Sequence, residues 1–199
     1  MDKKQLETWA SPAPAGLTAL AVACFIYFAV LTGKVPNTTH PLLGCWLLGG
    51  FVIQIVVALL ELKENQLLGG NVFLFFSAYF MLVGALEFLF KASDTFAAAA
   101  PTSEIDGWAW LVLLLTLLLW TPAYLKTSSF VMGLTIIVLD VGVLFVTIRD
   151  LGVISAELGS PIAGYAMGIV GLLGIYHAAS IELNNAWGKT VLPLGKSIL

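Results

Sequence analysis

The chain has 199 residues, of which 59% are hydrophobic and only 11% are charged. Soluble domains carry roughly 25% charged residues, so this composition excludes a soluble globule and favours one helical body surrounded by lipid. The net charge of -3, together with a sequence that contains no basic run, also excludes nucleic acid as a partner.

Six apolar segments are long enough to be membrane-spanning helices, because about 20 helical residues cross the hydrocarbon core of a bilayer. In chain order these segments cover residues 16–33, 42–62, 69–90, 108–125, 130–148 and 161–181. We therefore predict an all-α membrane protein in three parts. They are an N-terminal interfacial segment over 1–14, a six-helix transmembrane domain over 15–183 and a C-terminal tail over 184–199.

The basic residues predict which side of the membrane holds the chain ends. Six spans place both termini on one side, and six of the nine basic residues lie at the termini or in the turns after the second and fourth spans: Lys3, Lys4, Lys63, Lys126, Lys189 and Lys196. Because Lys and Arg favour the cytoplasmic side, we expect a multi-pass protein of the inner or plasma membrane with both termini in the cytoplasm. The small-residue stretch at 11–16 precedes the first apolar run, so we expect no cleaved signal peptide.

Catalytic and metal-binding patterns are missing from the sequence. Cys24 and Cys45 fall in predicted membrane helices without neighbouring histidines, which argues against a disulfide or a metal site. His40 and His177 are far apart in the pattern, and no glycine-rich phosphate loop follows a strand. We therefore predict that the protein is not an enzyme and needs no cofactor.

Polar side chains interrupt the second and third spans. Gln54 lies near the middle of the second span, and Asn71, Ser77 and Tyr79 lie among the phenylalanines of the third. Amides and hydroxyls can replace part of a small solute's hydration, so these four residues are candidate polar contacts along a conduit. The alternative is that each bonds a neighbouring helix as structural glue.

Two other features each have a functional and a packing interpretation. Phe73, Phe76 and Phe80 recur at helical spacing and could close a dry constriction, or they could simply fill the core. Asp140 is costly in the middle of the fifth span and is a candidate proton-binding group; the alternative is a carboxyl paired with a neighbouring helix's donor at a subunit contact.

The sixth span carries small residues that we expect to face another helix or subunit: Gly164, Gly168, Gly171 and Gly174.

Both ends of the chain resemble the acetate uptake transporter family, the acetate and succinate permeases of bacteria, archaea and yeasts. Ser-Pro-Ala-Pro-Ala-Gly at 11–16 is similar to that family's opening Asn-Pro-Ala-Pro-Leu-Gly, and residues 184–195 are similar to its Asn-Glu-x-x-Gly-Arg-Thr-Val-Leu-Pro-Ile-Gly. Gly49-Gly50 with Gln54, followed by Leu60-Glu61, resembles its Gly-Gly-x-x-Gln run and closing Glu. The matching motif residues include Pro12, Pro14, Gly16, Glu61, Asn184, Pro193 and Gly195.

The resemblance implies six membrane helices per subunit, a hexameric ring resembling that of urea channels, and one solute path through each subunit. It also implies a hydrophobic constriction with side chains from the first, third and fifth helices. The first-helix member aligns with Leu20, where the family usually has Phe, and the third-helix member with Phe76, where it usually has Tyr. The fifth-helix member falls between Leu134 and Leu139, with Leu134, Val138 and Leu139 as the candidates.

We therefore predict a permease or anion channel for acetate or a similar short carboxylate such as succinate. Since an isolated charge is costly in a dry neck, the solute should cross as the neutral acid or by symport with a proton. Two other functions remain open: a channel for small neutral solutes such as urea or amides, and a membrane sensor or assembly subunit with no flux of its own.

Overall fold

The computed structural model describes residues 9–99 and 102–199 of the chain. Within these two ranges the protein is helical and contains no β-strand. Lys3, Lys4 and most of the predicted N-terminal interfacial segment lie outside the described residues, as does Pro101.

Six helical spans are long and apolar enough to cross a membrane. The first span is α1, and a short 3-10 turn (Asn37–Thr39) leads into the second, α2. The third span joins α3, a π-helical stretch (Phe76–Val83) and α4, and the short α5 follows it in the connecting loop. The fourth, fifth and sixth spans are α6, α7 and α8. The α-helices run over α1 Ala13–Leu31, α2 His40–Lys63, α3 Leu67–Phe75, α4 Gly84–Lys91, α5 Asp94–Ala99, α6 Glu104–Thr127, α7 Phe130–Asp150 and α8 Ala156–Trp187. The predicted six-span, all-α fold is thereby confirmed.

The sixth span differs most from its predicted bounds of 161–181. Helix α8 begins one turn before Pro161, after Ser155 in extended backbone (φ -69°, ψ 152°). At its other end the helix continues into the polar residues up to Trp187 and stops where Gly188 takes a left-handed conformation (φ 60°). Glycine is the usual residue at such a helix end, because it adopts this conformation without steric cost. The helix therefore extends beyond both ends of the apolar run from which its bounds were predicted.

The spans pack side by side in the order 4-5-6-1-2-3. Helix α6 contacts α7, α7 contacts α8, α8 contacts α1, α1 contacts α2, and α2 contacts the third span. The third and fourth spans share only a sparse backbone contact, although they are neighbours in sequence. Aromatic rings bridge this seam, with Phe75 and Phe80 on the third span 5.7 and 6.1 Å from Trp120 and Trp110 on α6, measured between ring centroids. The six spans thus enclose a central space.

The first and last spans approach closely through the glycines of α8. A methyl group built on Gly164 would lie 2.8 Å from Thr32 Cγ2, and one built on Gly168 would lie 3.2 Å from the Phe28 ring. Small residues allow such contacts in membranes, where packing replaces the hydrophobic effect between helices. The expectation that the glycine face of the sixth span contacts another helix is confirmed, and that helix is α1.

Candidate functional site

Two cavities enter the helix ring from opposite sides. The wide cavity has a volume of about 670 Å³ and opens where α1 begins, α2 ends and α6 turns into α7, on the side of both chain ends. The narrow cavity has a volume of about 200 Å³ and opens where α1 and α7 end and α6 begins. A solute crossing the ring would therefore pass from one cavity into the other.

Phe76 and Leu139 line both cavities and so mark the point where the two approach each other. Both side chains are only 3% exposed, and Leu20, which lines the wide cavity, is 8% exposed. All three belong to one apolar cluster that also contains Phe80, whose ring lies edge-on to Phe76 with centroids 5.7 Å apart. We call Leu20, Phe76 and Leu139 the neck.

The π-helical stretch contains the third-span part of the neck. It begins at Phe76 and includes Ser77, Tyr79 and Phe80. A π-helix widens the turn to i→i+5 hydrogen bonds and is frequently found at functional sites. Here it occurs where two large rings, Phe76 and Phe80, both point into the core at 3% and 6% exposure.

Of the three candidates on the fifth span, the structure brings one to the path. Leu139 is buried in the neck. Leu134 and Val138 are partly buried, and neither belongs to the lining of the two cavities as the described residues define it.

Gln54 is the polar candidate that the structure places most directly on the path. It lines the wide cavity and is 1% exposed. Its Oε1 and Nε2 atoms are both buried and have no hydrogen-bond partner among the described residues. A buried amide in this condition is rare, because leaving it unpaired typically costs about 1–3 kcal/mol. The hydrogen-bonding capacity of this amide is therefore unused among the described residues.

The other three polar candidates are arranged differently. Asn71 Nδ2 donates to the carbonyl of Leu67 at 2.8 Å, and Ser77 Oγ donates to the carbonyl of Leu74 at 2.7 Å, so both bond their own helix. Neither lines a cavity within the described part of the chain. Tyr79 lines the narrow cavity and is 56% exposed.

Asp140 faces α6. Its Oδ2 atom accepts a hydrogen bond of 2.6 Å from Thr121 Oγ1, and the residue is 8% exposed. It is absent from the lining of both cavities over residues 9–99 and 102–199. The donor is thus on a neighbouring helix of the same subunit. Asp140 itself directly follows the neck residue Leu139.

Sequence reasoning missed two other groups in the wide cavity. His177, set aside as isolated in the pattern, lines the cavity from α8, and Glu61, noted only as a motif residue, lines it from the end of α2 at 7% exposure. A methyl group built on Gly69 would collide with the Glu61 carboxyl, so Gly69 makes room for this side chain. Glu61 lies in the last turn of α2, a position that could have flagged it, whereas His177 lies nearly three turns before the end of α8.

Charged side chains surround the narrow cavity. Arg149 Nε and Nη2 each lie 2.7 Å from Asp150 Oδ1, and Arg149 Nη1 donates to Ser160 Oγ at 3.3 Å. Lys91 pairs with Glu87 at 3.1 Å, one helical turn away. With Asp106, this cavity has three carboxylates and two cations in its lining.

The C-terminal motif ties the tail back to the helix ring. Asn184 Oδ1 accepts from the backbone N–H groups of Val191 and Leu192 at 2.6 and 3.0 Å, and Tyr176 donates to the carbonyl of Pro193 at 2.8 Å. Gly195 takes a left-handed conformation (φ 74°) against Phe130. The tail therefore crosses the mouth of the wide cavity, where its Leu194 is part of the lining.

The N-terminal motif residues shape the start of α1. Pro12 occupies the N-cap position, Pro14 is buried in the first turn, and a methyl group on Gly16 would lie 2.8 Å from the Phe73 ring. Just before them, Lys63 Nζ lies 4.1 Å from the centre of the Trp9 ring, which fixes the start of the described chain against the end of α2.

Cys24 and Cys45 are both free thiols, one buried and one exposed. Across residues 9–99 and 102–199 no three His, Cys, Asp or Glu side chains converge as they would around a metal ion.

Six membrane-spanning helices thus surround two cavities that approach each other at a buried apolar neck. The solved structure of the bacterial acetate channel SatP has this fold: it matches with a TM-score of 0.81 over 94% of this chain and 99% of that chain, at 24% sequence identity. A scan against protein-family models and a search of curated protein sequences found no match. At this identity the likeness establishes a common fold, and the six-helix subunit fold implied by the sequence resemblance is confirmed.

Proposed function

We propose that the protein is a transporter of the acetate uptake transporter family, which carries acetate or a similar short carboxylate through a path inside each subunit. The observation that carries this proposal is that Phe76 and Leu139 line both cavities, so that a route through the helix ring passes a single apolar neck. The likeness in fold to the acetate channel SatP supports the choice of solute.

The neck sets the form in which the acid crosses. Leu20, Phe76 and Leu139 offer no hydrogen bonds or charges, and moving an isolated carboxylate into such surroundings is far more costly than moving a neutral acid. The lining of the narrow cavity, with three carboxylates against two cations, does not concentrate anions either. Both observations favour passage as the neutral acid or together with a proton.

A second candidate is a channel for small neutral solutes such as urea or acetamide. It is favoured by the wide cavity, whose described lining contains no Lys or Arg to attract an anion, and by the Gln54 amide. Competition separates the two candidates. Formate and propionate should compete with labelled acetate for a carboxylate transporter, whereas urea should compete if the channel takes neutral solutes.

Assembly and orientation are part of the same proposal. We place the protein in the inner or plasma membrane as a hexamer with its termini, and hence the wide cavity, on the cytoplasmic side. Lys63, Lys126, Lys189 and Lys196 lie at that end of the molecule, as expected for a cytoplasmic surface. Native mass spectrometry of the detergent-extracted protein measures the subunit number, and a mass of one to three subunits would contradict the ring.

The proposal is tested by uptake of labelled acetate into proteoliposomes that contain only this protein, with and without an imposed pH gradient. We expect saturable uptake that increases with the gradient in the wild type. Phe76→Ala widens the neck and admits water, so uptake should rise about tenfold, corresponding to a barrier lower by about 1.4 kcal/mol, and should lose much of its dependence on the gradient.

Leu74→Ala is the matched control, because Leu74 is on the same span but lines neither cavity among the described residues. Its truncation should leave the rate unchanged within about twofold. Wild-type vesicles that take up no more acetate than empty liposomes, while passing urea freely, would replace the carboxylate transporter by the neutral-solute channel.

A further inference from the structure

Asp140 has one oxygen in a hydrogen bond and one without. Its Oδ2 atom lies 2.6 Å from Thr121 Oγ1, whereas Oδ1 is buried and has no partner among the described residues. The side chain is at the midpoint of α7 and lines neither cavity within residues 9–99 and 102–199. An ionised Asp140 would therefore hold a charged oxygen without any hydrogen bond inside the membrane-spanning part of the chain.

The Thr121 hydroxyl has two acceptors within reach but only one hydrogen to donate. Its Oγ1 atom lies 2.9 Å from the Leu117 carbonyl oxygen, one turn back on α6, and 2.6 Å from Asp140 Oδ2. If Asp140 is ionised, Thr121 can serve one of these acceptors and must leave the other. If Asp140 holds a proton, the carboxylic acid donates to Thr121 and Thr121 donates to Leu117. Only the protonated form makes both hydrogen bonds at once.

The helices packed against α7 supply no counterion for Asp140. Helices α6 and α8 pack on α7, and their membrane interiors, residues 107–125 and 158–181, contain no Asp, Glu, Lys or Arg. Arg149, near the end of α7, is paired with Asp150. The titratable side chains of the two interiors have other surroundings, which are the wide cavity for Tyr124 and His177, the Phe28 ring for Tyr165 and the tail for Tyr176. A buried carboxyl in this situation binds a proton instead of staying charged.

We propose that Asp140 is a proton-binding site and that, as a carboxylic acid, it donates a hydrogen bond to Thr121 that positions the neck residue Leu139. Because Asp140 lines neither cavity, it acts through its neighbour in sequence and is not a solute contact. The bound proton is independent of what the protein transports, whereas the effect on the neck rests on the proposed function.

The bond to Thr121 can hold Leu139 in place because Leu139 and Asp140 are adjacent on α7. In the described part of the chain, it is the one side-chain hydrogen bond between α6 and α7. Ile136 and Val143, one turn to either side, make apolar contacts. Apolar packing has no preferred direction, whereas a hydrogen bond requires a particular angle, so this bond fixes the rotation of α7 about its axis.

Loss of the proton should release this contact. Thr121 then serves either Asp140 or Leu117, and the carboxylate places an unpaired charge between α6 and α7. Because a charge is far more stable in water than in apolar surroundings, we expect α7 to turn and the neck to admit water at alkaline pH.

Infrared spectroscopy of the protein in lipid tests the proton directly. The carbonyl stretch of a protonated carboxyl is resolved from the bands of carboxylates, and 13C labelling of the Asp carboxyls assigns it to Asp. We expect a protonated Asp band at neutral pH that disappears in Asp140→Asn and shifts in Thr121→Val. Asp150→Asn is the matched control, because Asp150 is similarly buried but faces a cation and should contribute no such band. A wild type without the band, or a band that survives in Asp140→Asn or is unmoved by Thr121→Val, would overturn the proposal.

Osmotic water permeability of proteoliposomes reports on the neck without depending on any solute. Thr121→Val keeps the shape of the side chain but removes the hydroxyl, so permeability should rise about threefold, as expected for the loss of one hydrogen bond between neutral groups. Thr121→Ser keeps the hydroxyl and should match the wild type.

The pH profile of water permeability distinguishes this role from simple structural support. Towards alkaline pH the wild type should become more permeable, whereas Asp140→Asn, which cannot ionise and keeps a donor, should stay constant. Equal permeability in Thr121→Val and the wild type, or an alkaline rise in Asp140→Asn parallel to that of the wild type, would refute the positioning role.

These readouts separate the proton site from transport. Vesicles that take up no acetate, although the Asp140 band and its dependence on Thr121 are present, would overturn the proposed function and keep this inference. Saturable acetate uptake by a protein without the band would do the reverse.

Discussion

The two cavities share a neck but satisfy their polar groups in opposite ways. In the narrow cavity Arg149 bonds Asp150 and Ser160, and Lys91 bonds Glu87, so its charged groups are largely matched by one another. In the wide cavity Gln54 and His177 keep unsatisfied atoms with respect to the described residues. Matched charges on the narrow side contribute to the stability of the fold, whereas the unpaired polar atoms on the wide side leave hydrogen-bonding capacity unused. From this difference we expect structural support on the narrow side and solute contacts on the wide side.

The largest effect should come from breaking the ion pair of the narrow cavity. Arg149→Leu leaves Asp150, which is 6% exposed, without its cation. Removing one partner of a buried pair is strongly destabilising, so we expect the free energy of unfolding in detergent to fall by about 3 kcal/mol. Denaturant unfolding followed by tryptophan fluorescence measures it.

Lys91→Ala is the control for this substitution. The Lys91–Glu87 pair is more open, with side-chain exposures of 44% and 32%, and exposed pairs contribute at most about 1 kcal/mol. If Lys91→Ala proved as damaging as Arg149→Leu, the narrow cavity would owe its stability to total charge instead of to one buried pair.

A medium effect is expected at the neck itself. Leu139→Ala should lower the free energy of unfolding by about 2 kcal/mol and raise acetate uptake several-fold, because it removes a side chain that separates the cavities. Leu134→Ala makes the same chemical change five residues away on α7, at a partly buried site. Faster uptake in Leu134→Ala, with Leu139→Ala unchanged, would move the fifth-span member of the neck to Leu134.

The smallest effect, and the most diagnostic, concerns stability on the wide side. Gln54→Leu replaces an unpaired buried amide by an apolar group of similar size, so the free energy of unfolding should rise by about 1 kcal/mol while acetate affinity falls. A gain in stability with a loss of binding is typical of a site strained for function. A variant that loses stability would indicate that the Gln54 amide has a structural partner after all, and the contrast between the cavities would weaken.

Much of the fold could be predicted because length and composition decide it. Apolar runs of about 20 residues predict six spans, their even number places the termini together, and the glycines at 164–174 indicate a close helix contact. The family resemblance predicts Leu20 and Phe76 as constriction residues, and both belong to one apolar cluster. That they gate a solute remains a prediction.

Other features depend on information that the sequence does not display. The π-helical stretch shifts the register of the third span, yet its residues are uniformly apolar or aromatic, so no periodicity marks the change. The choice of Leu139 among three aliphatic side chains depends on the rotation of α7. The same limit applies to Asp140 and His177. Asp140, a predicted proton site, faces α6, whereas His177, which the pattern left isolated, lines the wide cavity. Only helix packing decides which of the two faces a cavity.

The glycine-lined contact between α1 and α8 also bears on how the protein is made. It joins the first and last spans, so α1 enters the membrane without its main partner until the ribosome has translated α8, which ends at Trp187. Throughout that interval the α1 surface that will meet Gly164 and Gly168 faces lipid or the insertion machinery, and the chain is open between its ends. Closure of the ring is therefore a late event in biogenesis, and any truncation that removes α8 leaves the five earlier helices without the contact that seals them.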